Sequence, residues 1–90
     1  MNHHERELLR HAADDELLYH KGTWGDGAGY RWRGPDGTEA GVVPPWEADH
    51  LDALAERGLI KIERKLGPHD CRVTTTAAGL DVLSDRARAA

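Results

Sequence analysis

The sequence predicts a small α+β domain with the element order helix, hairpin, helix, hairpin, helix. In the segments 2–13, 46–57 and 77–90, apolar residues recur every three or four positions, which is the spacing of an amphipathic helix. The stretches 30–43 and 60–75 alternate polar and apolar residues around turns that contain Gly and Pro, which is typical of β-hairpins. At 90 residues, the chain has the length of one domain spanning residues 1–90.

The composition is that of a globular protein. Hydrophobic residues make up 39% and charged residues 31% of the chain, and the formal net charge is −4. No apolar run approaches the ~20 residues of a membrane helix, and the charged N-terminus lacks the apolar core of a signal peptide. Cys71 is the single cysteine and cannot form an internal disulfide. We therefore expect a cytoplasmic protein with no membrane partner.

Polar residues delimit the first helix, and a glycine-rich segment follows it. Asn2 and Glu5 have the spacing of a capping box, and the acidic pair at 14–15 is expected to end the helix. In Gly34–Gly37, Pro stands second and Gly fourth, as a type I turn prefers. We interpret segment 22–45 as a hairpin, with an irregular loop as the alternative.

The second half has clear helix ends. Gly58 is placed for a left-handed C-terminal cap, so Leu59 and Ile60 should enter the core directly after the second helix. Thr76 is a good N-cap for the last helix. Cys71 is expected on the inward side of its strand. The predicted core consists of Leu8, Leu9, Ala12, Leu51, Leu54, Leu59, Ile60, Ile62, Val73, Leu80 and Leu83.

The stretch 51–83 is similar to the second half of winged helix-turn-helix domains, particularly those of the MarR and PadR kinds. The similarity rests on Gly58–Ile60 at the end of a helix, a basic strand over 61–65, a turn over 67–70 and the Thr-x-x-Gly motif at 76–79. It implies a winged-helix-like fold in which the second hairpin is the wing. It also implies that Arg72 is the wing arginine.

Charge is concentrated in the same stretch. Residues 57–72 hold five Lys and Arg against two Asp and Glu, whereas residues 1–56 hold five against twelve. In winged domains, basic side chains of the wing contact DNA phosphates or the minor groove. The first functional expectation is therefore a small transcriptional regulator that binds double-stranded DNA through Lys61, Arg64, Lys65, His69 and Arg72.

Two features favour an alternative. No helix is evident directly before the segment Trp46–Arg57, which occupies the place of a recognition helix. The outward face of that segment is acidic, and carboxylates would be repelled by phosphates. The alternative is a winged-helix adaptor or inhibitor, of the kind that phages and mobile elements encode, which binds protein through an acidic helix face and an aromatic hairpin. Its contact residues would be Trp24, Trp32, Asp49, Asp52 and Glu56.

Other chemistry has weak support in the sequence. The Gly25–Gly29 run precedes a strand-like segment, not the helix N-terminus that a phosphate loop needs. The six histidines lack the spacing of a structural metal site, and no nucleophile or carboxylate pair predicts catalysis. We therefore expect no cofactor, no metal and no enzymatic activity. One further expectation is a homodimer through the C-terminal helix, with Leu80, Val82 and Leu83 at the contact.

Overall fold

The computed structural model describes residues 2–22, 24–25, 27–64, 66 and 70–89, with side chains described through residue 84. Its elements are α1 (His3–Ala13), β1 (Leu17–His20), β2 (Gly29–Arg33), β3 (Glu39–Val42), α2 (Pro45–Glu56), β4 (Ile60–Glu63), β5 (Cys71–Thr75) and α3 (Ala77–Ala89). The predicted α+β class is confirmed. The element order differs from the prediction, because three strands lie between α1 and α2 where one hairpin was expected.

The five strands form one antiparallel sheet in the order β3-β2-β1-β5-β4. The additional strand β1 is the central one. Its residues Leu17 and Leu18 are both buried, on opposite faces of the sheet, so the segment lacks the alternation that marks a half-buried strand. Segment 22–45 contains the β2–β3 hairpin, in which the amide of Gly37 donates to the carbonyl of Gly34 at 3.0 Å, as a β-turn requires.

The core lies on one face of the sheet, between the strands and the helices. Strand residues in this core are Leu17, Tyr30, Ile60 and Val73, and they pack against buried leucines of α1 and α2. The opposite face carries mainly charged side chains, in alternation with these core residues. This face contains a cleft lined by Leu18 and charged side chains.

The helix ends follow the expected capping chemistry. The capping box of α1 is confirmed: the side chain of Asn2 accepts from the amide of Glu5 at 2.8 Å, and the Glu5 carboxylate accepts from the amide of Asn2 at 3.3 Å. Gly58 has φ +74°. Its amide and that of Leu59 donate to the carbonyls of Ala55 and Leu54, both at 3.0 Å, which is the Schellman arrangement.

The two short motifs that flank the second hairpin contact each other. The amide of Thr76 donates to the carbonyl of Leu59 at 3.0 Å, and its hydroxyl donates to the carbonyl of Gly58 at 2.6 Å. The same hydroxyl accepts from the amide of Gly79 at 3.1 Å, which confirms Thr76 as the N-cap of α3. A Cβ on Gly79 would overlap the carbonyl oxygen of Leu59. The spacing Thr-x-x-Gly therefore serves both the cap and the close approach of α3 to the chain after α2.

The predicted core is largely confirmed, with one error. Leu80 is 50% exposed, because the side of α3 that packs inward carries Gly79, Val82 and Leu83. Ile62 and Leu83 are partly buried against the core rather than at its centre. The buried residues that the prediction did not include in the core are Leu17, Leu18, Tyr30 and Val43, while Cys71 is buried as expected.

Candidate functional site

The exposed face of α2 combines an indole with carboxylates. Trp46 is 66% exposed, and Asp49, Asp52 and Glu56 are exposed as well. Relative to Trp46, positions 49 and 56 are three and ten residues along the helix, so they share one stripe, and position 52 lies on its flank. We call Trp46, Asp49, Asp52 and Glu56 the α2 face.

One member of the α2 face is fixed to the core. The hydroxyl of Tyr30 donates to Oδ1 of Asp52 at 3.2 Å. Burial of the phenol, followed by the nearby Asp52 carboxylate, raises the pKa of Tyr30 above its ordinary value. The buried ring of Tyr30 therefore orients an acidic side chain at the protein surface.

Contacts with α1 hold α2 in place. Nε2 of His4 lies 3.5 Å from Oε1 of Glu47, and Nη1 of Arg57 lies 3.7 Å from Oε2 of Glu5. The rings of His4 and His50 meet edge to face with centroids 5.0 Å apart. Within the described part of the chain, no three His, Cys, Asp or Glu residues are grouped for a metal ion.

The two tryptophans that the sequence singled out have different environments. Trp24 is fully exposed in the loop between β1 and β2. Trp32 is partly buried against the core, and its ring meets that of His11 edge to face at 5.2 Å. Trp24 is thus placed as an accessible anchor, whereas Trp32 completes the core. Trp46 was not among the predicted contact residues, although the helical spacing that places Asp49 and Glu56 opposite Leu51 also indicates that Trp46 is exposed.

The basic residues of the second hairpin differ in the contacts that they make within the protein. Lys61 and Arg64 are exposed, and the Arg64 guanidinium lies 5.7 Å from the centroid of the Tyr19 ring. Arg72 donates from Nε to Oδ1 of Asp15 at 3.0 Å, and its Nη2 lies 3.0 Å from Oδ2. The hydrogen bond with Asp15 raises the pKa of Arg72. The predicted wing arginine is thus ion-paired within the protein.

Some residues that the sequence predicts as partner contacts lie outside the described part of the chain or pack against the protein's own core. Lys65 and His69, which the DNA hypothesis includes, lie outside the described residues. Of the proposed dimer contacts, Val82 and Leu83 pack against the protein's own core, and only Leu80 is exposed. In the residues that the structure covers, the longest apolar helix falls short of what crossing a membrane requires.

Asp15, the ion-pair partner of Arg72, was not identified from the sequence as a residue of this site. It has φ +61° in the turn between α1 and β1, and its partner Arg72 is 57 positions away. Its only signal in the sequence was its place in the acidic pair at the end of α1.

Comparisons of the chain with protein-family models, curated proteins and solved structures gave no match.

Proposed function

We propose that the protein is a non-enzymatic interaction module that binds a basic protein surface through the α2 face. The observation that carries the proposal is the exposed indole of Trp46 beside the carboxylates of Asp49 and Glu56 on one helix stripe. Tryptophan is among the residues most often found at binding hot spots. The carboxylates beside the indole favour a partner with Lys or Arg beside an apolar pocket. An adaptor or an inhibitor would work in this way.

The charge of the chain supports a basic partner. The net charge is −4, so the long-range field attracts cationic surfaces and opposes polyanions. The link from Tyr30 to Asp52 orients one carboxylate of the face, and the contacts of α1 with α2 position the helix that carries it. A pre-ordered face loses less conformational entropy when it binds.

The test selects ligands directly on the protein. A library of displayed random peptides is panned against the immobilised protein, and the affinities of the selected peptides are measured for wild type and variants. The selected peptides should carry Lys or Arg next to an apolar residue. Trp46→Ala should weaken their binding about thirtyfold, as expected for a hot-spot residue, and Asp49→Lys should also weaken it. Asp81→Lys is the control, because Asp81 is an exposed acid on α3. Selected peptides that bind both α2 variants as tightly as wild type would refute the proposal.

A second candidate partner is double-stranded DNA, bound through the second hairpin as the wing of a winged-helix-like fold. The observation that favours it is the exposure of Lys61 and Arg64 on this hairpin, together with the pairing of β5 with β1, which joins the hairpin to the sheet. The acidic α2 face would have to stay away from the phosphates, which makes this the weaker candidate.

Fluorescence anisotropy with mixed-sequence duplex DNA, repeated from low to physiological salt, tests the second candidate. If DNA binds, the affinity should fall steeply with salt. Lys61→Ala and Arg72→Ala should each weaken it and reduce the salt slope by about one. Absence of binding at low salt would eliminate the DNA candidate, and unchanged affinity in Arg72→Ala would eliminate the assignment of Arg72 as the wing contact.

A further inference from the structure

The face of the sheet opposite the core carries a cleft of about 470 Å³, which is separate from the α2 face. Leu18 of the central strand pairs in register with Arg31 on one side and with Arg72 on the other. Arg33 follows two residues after Arg31 on the same face of β2. Arg33 and Arg72 line the cleft, and so does Leu18, which is only 5% exposed.

Two guanidinium groups converge on one carboxylate at this cleft. Oδ1 of Asp15 accepts from Nε of Arg72 at 3.0 Å, and Oδ2 of Asp15 lies 3.0 Å from Nη2 of Arg72. Its Oδ2 also lies 3.5 Å from Nη1 of Arg33, which donates to the Asp15 carbonyl at 3.3 Å. Bidentate guanidinium pairing of this kind is how proteins bind oxyanions. Within this triad two positive charges face one negative charge, and the Glu63 carboxylate, opposite Arg72 in register, and the Asp36 carboxylate near Arg33 are the further acids beside it.

The carboxylates that line the cleft are Glu39 and Asp70, and both are already engaged. Oε1 of Glu39 lies 2.7 Å from Nε of Arg31, and Oδ1 of Asp70 lies 2.8 Å from Nδ1 of His20. Among the described residues, neither Nη1 of Arg72 nor Nη2 of Arg33 has a hydrogen-bond acceptor. These N–H groups are therefore available to a ligand in the cleft.

Gly37 leaves space beside one of these donors. It lines the cleft, and a Cβ at this position would lie 3.2 Å from Nη2 of Arg33. Any side chain here would press on the guanidinium. The turn before β3 thus leaves the Arg33 guanidinium room on the side of the cleft.

We propose that Arg33 and Arg72 form a clamp for a phosphate group, and that the Asp15 carboxylate occupies this clamp in the free protein. A phosphomonoester carries about twice the charge of a carboxylate and offers three strong acceptor oxygens, so it competes with Asp15 for both guanidiniums. A nucleic-acid phosphodiester carries a single charge, and it would compete as one of a row of neighbouring phosphates. The phosphate belongs either to a small phosphomonoester or to the backbone of a nucleic acid. The clamp is independent of the α2 face.

The experiment follows the arginine Nε–Hε signals of Arg33 and Arg72 by NMR during titration with inorganic phosphate, with chloride at the same ionic strength as the reference. Both signals should shift in wild type. Asp15→Asn removes the competing charge, and Asn tolerates the left-handed conformation of residue 15, so phosphate should bind about tenfold more tightly. Arg33→Gln should bind at least about tenfold more weakly than wild type.

Two further variants separate the clamp from general charge effects. Arg72→Lys keeps the charge but loses the bidentate geometry, so it should bind about as weakly as Arg33→Gln. Arg10→Gln is the matched control, because Arg10 is an exposed arginine paired with Glu7 on α1, and its affinity should equal that of wild type. The amide spectrum of each variant reports whether the fold is retained.

A parallel titration with a short DNA duplex identifies the source of the phosphate. Shifts with inorganic phosphate indicate a phosphomonoester ligand, and shifts with the duplex alone indicate a nucleic-acid backbone. Both results support the clamp if they are lost in Arg33→Gln. Absence of shifts with either ligand in wild type and in Asp15→Asn overturns the proposal. Equal affinity of Asp15→Asn and wild type overturns the role of Asp15.

Discussion

Tyr30 shows how one side chain links the core to the surface of this protein. Its ring is buried among core residues and its hydroxyl bonds the exposed Asp52. Tyr30→Phe keeps the ring and removes the hydrogen bond, so the free energy of unfolding at pH 7 should fall by about 1 kcal/mol. Urea denaturation measures this value. Tyr19→Phe is the control, since Tyr19 is partly buried beside Tyr30. A larger loss in Tyr19→Phe would contradict the role of the bond to Asp52.

The same tyrosine predicts a loss of stability at alkaline pH. Because the pKa of Tyr30 is raised in the folded state, the unfolded chain releases this proton first. The contribution to stability is complete below the ordinary tyrosine pKa of about 10 and falls as the pH rises above it. Measured by urea denaturation, the free energy of unfolding should fall less between pH 7 and pH 10.5 in Tyr30→Phe than in wild type. An equal loss in both proteins would exclude Tyr30 as its source.

At the scale of elements, Gly79 decides how closely α3 approaches the chain after α2. Helix propensity alone favours alanine over glycine by about 1 kcal/mol. However, a Cβ here would overlap the backbone of Leu59 and the methyl group of Thr75, and relieving such an overlap costs about 1–3 kcal/mol or more. We therefore expect Gly79→Ala to lower the melting temperature, which calorimetry or circular dichroism can measure.

Gly58→Ala provides a matched comparison for that variant. A Cβ at Gly58 meets nothing within 4 Å, but the residue has φ +74°, so alanine there costs about 1 kcal/mol through backbone conformation alone. Gly79→Ala should be the more destabilising of the two. A Gly79→Ala variant more stable than wild type would mean that α3 can shift away from β4 without loss.

At the scale of the whole molecule, the central position of β1 makes the sheet depend on a segment of four residues. Leu17 is fully buried in the central strand, while Val42 is 63% exposed on the edge strand β3. Leu17→Ala should lower the free energy of unfolding by about 2–5 kcal/mol. Val42→Ala should change it by no more than about 0.5 kcal/mol. Chemical denaturation of both variants tests this ranking, and similar values would contradict the central place of β1.

Charge at the same scale is divided between the two sides of the sheet. The helix side presents the α2 face with an excess of carboxylates. The opposite side pairs Arg31 with Glu39 across two strands, and Arg33 and Arg72 with Asp15 of the turn between α1 and β1. In the described part of the basic stretch 57–72, Asp15 from near the other end of the chain pairs with Arg72 and neutralises part of the positive charge.

Local features of the fold were accessible from the sequence because their causes lie within a few residues. The capping box at Asn2, the left-handed Gly58 and the cap at Thr76 each depend on neighbours three to five positions away. The α+β class and most of the core follow from the periodicity of apolar residues. The carboxylates of the α2 face were also predicted, since helical spacing places them opposite Leu51 and Leu54.

The tertiary structure decided what depends on contacts between distant parts of the chain. Two adjacent leucines buried on opposite faces identify β1 as the central strand, a pattern with no single periodicity. The burial of Trp32 follows from how β2 packs against the helices. The clamp needs Asp15, Arg33 and Arg72 together, and the sheet order and the turn before β1 bring them within hydrogen-bond distance. Sequence determined the elements and their caps because these are local, whereas long-range packing of strands, helices and the turn before β1 determined which charges meet.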